Sequence, residues 1–173
     1  DECKVKLDRI EYADDRLIKL NKSLEEQKAI CRKAALQLSD IRKEKAKELQ
    51  TRIEMELREL NMPSVRFAVE FVSIEDELGF DAFGADKLRF IMSANAGEEL
   101  GRISKIASGG ELSRIMLAMK NVFAENDPVY TMVFDEIDTG VSGIAAQRVG
   151  EKLYSVSKGK QVMCVTHLPQ IAA

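Results

Sequence analysis

Asp135 and Glu136 stand side by side directly after the apolar run Val129-Tyr130-Thr131-Met132-Val133-Phe134. A continuous apolar run of that length suits a buried parallel strand. The crevice beyond the C-terminal ends of such strands is where open α/β sheets bind ligands. There the first acid can hold Mg²⁺ through its water shell, and the second can orient and polarise an attacking water. The plainer reading is a solvated pair of acids in a turn. His167, the one histidine of the chain, follows a second such run at 162–166. A lone histidine is more often structural than catalytic. This one ends the strand expected beside the one that ends at Asp135, so both would open onto the same sheet edge.

Ser108-Gly109-Gly110-Glu111 forms the third cluster. Read plainly it is a capping box, with Ser108 as N-cap and Glu111 at the third helical position. A cap does not need two glycines, which cost a helix interior roughly 1 kcal/mol each. Paired glycines also bare backbone N–H groups at the positive end of a helix, where a phosphate can come close. On the residues alone both readings stand.

The elements that must position these clusters follow from spacing. Residues 65–71 alternate with period two, as a half-buried strand does, and 88–92 form another strand beyond a turn region at 79–84. Residues 96–106 are polar and loop-like. Leu112, Ile115, Met116, Met119 and Phe123 give 111–125 helical spacing, and 142–157 is helical again between the apolar runs 129–134 and 161–166. Strand, helix and strand at this spacing predict a βαβ unit and an α/β fold.

The first sixty residues differ in kind. They hold 15 Lys/Arg and 14 Asp/Glu, whereas 61–173 carry 11 basic and 15 acidic groups. With Ile10 at position a of a heptad, Leu17, Leu24, Cys31 and Leu38 repeat at a, and Ala13, Leu20, Gln27, Ala34 and Ile41 fall at d. Only Gln27 is polar, and no Gly or Pro interrupts the stretch, so 1–60 predicts a long coiled-coil helix running into the body formed by 61–173. After Ile41 the register fails. A shift of one residue restores it through Ala46, Leu49, Ile53 and Leu60, which marks where a free coil becomes a helix packed on a globular body. Asn61-Met62-Pro63 ends it, because proline cannot continue a helix.

Composition narrows the class. No apolar run approaches the 18 residues of a membrane span, and the start Asp1-Glu2-Cys3-Lys4 has no signal-peptide pattern. Three cysteines without a C-x-x-C pair argue against a disulfide scaffold or a zinc site, and Cys31 and Cys164 read as buried thiols of a reducing cytoplasm. A net charge of −3 gives no overall attraction to nucleic acid.

Taken in order, SGGE at 108–111, TMVFDE at 131–136, DTG at 138–140 and VTH at 165–167 resemble the signature motif, Walker B motif, D-loop and switch histidine of an ABC-type ATPase head. A coiled coil leading into them resembles the structural-maintenance-of-chromosomes (SMC) branch. KIASGGELSR (105–114), FDEIDTGVSG (134–143) and VTHLPQIA (165–172) are similar to the RecN family of bacterial DNA-repair proteins. The resemblance implies the C-terminal lobe of an SMC-type P-loop ATPase head. It implies Asp135 on Mg²⁺ and, as catalytic residues, Glu136 as general base or water-positioning carboxylate and His167 at the γ-phosphate of its own head. It places Ser108 and Gly110 at the γ-phosphate of ATP held by an opposing head, counts Gly109, Glu111 and Asp138 with them as cofactor-binding, and sets Asp138 in a dimer-interface loop.

The implied partners are an N-terminal half of the same protein, a second head and DNA, in a bacterial cytoplasm near the nucleoid, with no membrane. The chain contains no G-x-x-x-x-G-K-[ST] loop, since Gly159-Lys160 is followed by Gln161. The resemblance therefore implies a fragment, inactive alone, whose phosphate loop lies across the coiled coil. The competing reading is a non-catalytic coiled-coil module with vestigial motifs.

Overall fold

The computed structural model describes residues 2–172 apart from Ala94, Ala96, 104–108 and 125–126, with side chains from Tyr12 onward. A single helix, α1 (Glu2–Glu59), takes up the charge-dense third. It closes as the sequence requires. Asn61 adopts φ 60°, its N–H donates to Arg58 O at 3.1 Å, and Met62 N–H donates to Leu57 O at 2.9 Å. That pair is a Schellman stop, with Met62 packed in the same core as Leu57.

The chain forms two compact units, one of residues 1–43 and 71–87, the other of 44–70 and 88–173. In the first, the seam residues Leu17, Leu20, Leu24, Cys31 and Ile41 are exposed. Cys31 is thus not the buried thiol expected: it is exposed on α1, while Cys164 is half-buried. The loop 74–85 lies against the adjacent face of α1. Arg32 donates from Nη2 to Leu78 O at 2.8 Å, Ala35 and Ser39 are buried, and a Cβ on Gly84 would meet Leu38 and Arg42 at 3.0–3.3 Å.

The second unit holds the core. Past the register break α1 changes role: Ile53, Leu57 and Leu60 are fully buried, with Leu49 packed beside them. The hairpin strands β1 (Arg66–Ser73) and β2 (Asp86–Ser93) and the short β3 (Gly101–Arg102) form a sheet in the order β1-β2-β3. Phe67 is buried there, its ring 5.4 Å from that of Phe90. Then come α2 (Gly109–Phe123), β4 (Thr131–Phe134), α3 (Gly143–Ser157), β5 (Gln161–Cys164) and the single turn α4 (Pro169–Ala172).

β4 and β5 pair in parallel with Phe134 opposite Cys164, and α3 connects them, so the expected βαβ unit is present. The strands are shorter than the apolar runs and are not buried on both faces. Met132 and Phe134 point into the core, whereas Val133 is 66% and Met163 55% exposed. A two-stranded sheet with helices on one side leaves its other face open, which explains the difference.

Among the described residues no helix is long and apolar enough to cross a membrane.

Candidate functional site

The parallel pairing of β4 and β5 sends both strands out of the sheet at the same end, and the loops that follow carry the site. β4 hands over to Asp135 and Glu136, both exposed. Asp135 Oδ1 accepts from the amide of Glu136 at 2.9 Å. Glu136 then takes φ 57°, a left-handed conformation that costs a non-glycine residue about 1–2 kcal/mol. Such strain persists only where surrounding contacts impose it. Here Thr139 N–H closes a turn on Glu136 O at 3.1 Å and Val141 N–H another on Asp138 O at 3.2 Å.

The first turn of α2 presses on that loop. A Cβ on Gly109 would lie 2.5 Å from Glu136 Oε2, and one on Gly110 would lie 2.7 Å from both Cβ and O of Thr139. Gly110 thus has a physical reason beyond capping and beyond baring N–H groups: a Cβ there would strike the Thr139 backbone, which cannot swing aside, whereas the Glu136 side-chain end facing Gly109 can. One turn further along the same face, Ser113 Oγ donates to Asp135 O at 2.8 Å and Arg114 Nη1 donates to Thr139 O at 2.7 Å. Arg114 is 6% exposed, and its Nε is buried without a partner among the described residues. Burial lowers the pKa of its guanidinium, and the charge of Glu111 opposes that shift. Glu111 is itself half-buried and engaged.

The third piece comes from β5. Asp138, 4% exposed, accepts at a single oxygen, Oδ2, from Thr166 Oγ1 at 2.6 Å and from the amide of His167 at 2.9 Å. The His167 ring reaches the same oxygen, with Nδ1 at 3.1 Å. Burial acts to raise the Asp138 pKa, but the bonds from Thr166 and from His167 outweigh it and hold the carboxyl below its usual range. Thr166 Oγ1 also accepts from Leu168 N–H at 3.1 Å, which turns the chain into α4. Gly150 of α3 seats that turn, since a Cβ there would come within 3.0 Å of Gln170 O.

Seven of the eight residues singled out from the sequence fall in this assembly: Gly109, Gly110, Glu111, Asp135, Glu136, Asp138 and His167. The eighth, Ser108, lies outside the described residues. Asp138 faces inward and braces the histidine loop. Sequence reasoning missed Ser113, Arg114, Thr166 and Gly150. Helical spacing could have found the first two, because residues three and four beyond Gly110 share its face.

The arrangement offers one exposed carboxylate for a cation, a second for a water and a histidine with a free ring edge. Among the described residues no cluster of three His, Cys, Asp or Glu could cage a metal by itself.

No protein-family model matches the chain. It is 44% identical over 168 residues to the DNA repair protein RecN of Halalkalibacterium halodurans, an alignment covering 96% of this chain and 30% of that protein. It is 42% identical over 179 residues to RecN of Bacillus subtilis, covering 96% of this chain and 31% of that one. The chain thus spans about a third of the length of these relatives.

Among solved structures it is similar to the Smc head domain with a coiled coil and joint from Pyrococcus yayanosii (TM-score 0.52, 20% identity, 99% of this chain and 29% of that one). It is also similar to the Smc head domain with an extended coiled coil from Pyrococcus furiosus (TM-score 0.51, 22% identity, 76% of this chain and 30% of that one). The fold is that of an SMC-type head.

Proposed function

The chain belongs to the RecN family, and we propose that it supplies the signature, Walker B, D-loop and switch-histidine lobe of an ATP-driven, SMC-like DNA-repair protein. The observation that carries this reading is the convergence of the α2 start, Asp135, Glu136 and His167 at one end of the parallel β4–β5 pair.

In this reading Asp135 holds Mg²⁺, which when bound neutralises charge on the phosphates. Glu136 orients and deprotonates the attacking water, its carboxylate exposed and its backbone held by the Thr139 turn. Ser108, Gly109, Gly110 and Glu111 present the N-terminal end of α2 to the nucleotide of an opposing head, where the helix dipole favours negative charge. His167 meets the γ-phosphate of the nucleotide in its own head. Lys and amide donors for the remaining phosphates come from the Walker A half, whose motif this sequence lacks. ATP draws two heads together, hydrolysis releases them, and the cycle acts on DNA at strand breaks in the bacterial cytoplasm.

The test uses a protein that joins this chain to its Walker A half. Glu136→Gln keeps the shape of the side chain and removes the anionic acceptor. ATP hydrolysis is expected to fall by about 10²–10⁴-fold, while ATP binding persists and sedimentation shows heads that stay engaged. Near-normal hydrolysis would move the base elsewhere.

A further inference from the structure

We propose that Ser113 and Arg114 of α2 are the positioning residues of Glu136: between them they hold the peptide groups on both sides of that residue, and so aim its carboxylate from a backbone conformation it would not keep unaided.

The direction of a side chain is set by the two planar peptide groups that flank its Cα. The one before Glu136 is held at both ends. Its carbonyl, Asp135 O, accepts from Ser113 Oγ at 2.8 Å, and its N–H donates to Asp135 Oδ1 at 2.9 Å. The one after Glu136 is held through Thr139. Glu136 O accepts from Thr139 N–H at 3.1 Å, and Thr139 O accepts from Arg114 Nη1 at 2.7 Å. Ser113 and Arg114 are neighbours on one helix, so both peptide groups are anchored to the same element. Glu136 stands between them at φ 57°. Glycine would take that angle freely. A residue with a Cβ takes it only where its surroundings impose it.

The burial of Arg114 points the same way. The residue is 6% exposed, and its Nε has no partner among the described residues. Burying a cation is unfavourable, and a methionine of similar length would fill the space without that penalty. What methionine lacks is the donor to Thr139 O. The functional half of this inference rests on the reading of Glu136 as the base, while the hold on its backbone stands apart from that reading.

The test has two arms. In the isotope-labelled chain, a left-handed Glu136 is expected to give the strong cross-peak between its own amide and Hα protons that a positive φ produces. Ser113→Ala combined with Arg114→Met is expected to reduce that cross-peak to the level of ordinary residues. Arg114→Lys alone keeps a charged donor and is expected to retain it. Thermal melting shows which variants still fold. Should the double variant fail to melt cooperatively, Ser113→Ala and Arg114→Met taken singly carry the test, each expected to weaken the cross-peak. No change in the double variant, or in either single one, would overturn the proposal.

The second arm uses the protein joined to its Walker A half. Misplacing a catalytic group by about 1 Å can lower a rate about 10²-fold, and a fall in kcat of that order is expected for the folded variants that lose the cross-peak. KM for ATP should change little, because no group assigned to nucleotide binding is altered, and Arg114→Lys should restore most of the rate. Unaltered kcat alongside a lost cross-peak would overturn the positioning role. Absence of hydrolysis by the wild-type joined protein, with the cross-peaks as expected, would instead refute the ATPase reading and leave the hold on Glu136 standing.

Discussion

At the scale of single residues, the glycines of the signature segment serve two demands at once. Exposed N–H groups at a helix start would suit a bound phosphate, yet the tightest constraint on Gly110 is the backbone of Thr139, 2.7 Å from where a Cβ would stand. Backbone cannot swing aside as a long side chain can. Gly110→Ala must push α2 off the loop that carries Glu136, and overpacking of this kind costs about 1–3 kcal/mol. Urea denaturation of the isolated chain should therefore show a lowered midpoint, with no nucleotide present. Gly109→Ala faces only the end of the Glu136 side chain, which can rotate away, so it should cost less. Equal stability of wild type and Gly110→Ala would show that the α2 end and the turn at 136–141 do not meet. The sequence announced the glycines but not their neighbour, because the contact joins residues about thirty apart and carries no local pattern.

At the scale of elements, α1 was the most legible part of the chain. Its heptads gave both the helix and the place where its environment changes, since a seam of single apolar rows cannot also be a three-sided core face. The strands were read less well. The runs 129–134 and 161–166 look the same whether one face or both will be covered, and periodicity alone cannot tell these apart. The docking of the 74–85 loop on α1 was invisible, resting on Arg32 and a backbone carbonyl.

The end of α1 is also tied to the site elements by polar contacts that sequence could not reveal. Lys152 of α3 reaches Glu56 at 2.8 Å and Glu59 at 2.7 Å, and Asn121 of α2 donates to Glu56 at 2.7 Å. Burial lowers the Lys152 pKa, but the bonds to both glutamates outweigh it and leave it raised. This raised value means the ion pairs contribute fully at neutral pH and are lost only as pH rises past the usual lysine range. Glu56→Ala strips a partner from both helices and should destabilise the chain by roughly 1.5–3 kcal/mol, the range for hydrogen bonds to charged groups. Thermal unfolding at pH 7 measures it. Repeating the scan above the lysine range should shrink the difference, whereas an unchanged difference would mean that Lys152 takes no part.

At the scale of the whole molecule, what the chain leaves open says most about what it must join. Val133, Met163 and Val165 lie 55–66% exposed on the uncovered side of the β4–β5 pair, beside Asp135. A parallel sheet is ordinarily covered on both faces. In the proposed head the Walker A half covers this one, and the same docking brings the missing phosphate donors to Asp135, Glu136 and His167. Two consequences can be measured together.

The chain alone should not hold ATP at micromolar concentration, because a helix end contributes only about 0.3–1 kcal/mol per charge contact, against the roughly 8 kcal/mol that micromolar affinity requires. Calorimetry on the isolated chain checks this. Adding the Walker A half as a separate polypeptide should restore ATP binding. Val133→Ser combined with Met163→Ser should block that restoration. Burying two such side chains stabilises an interface by about 1.5–3 kcal/mol each, so losing both weakens association by two to four orders of magnitude. The isolated double variant should keep its stability within about 0.5 kcal/mol per substitution, because both positions already face solvent. Micromolar ATP binding by the chain alone, or undiminished complementation by the double variant, would mean that the exposed face is not the seat of the Walker A half.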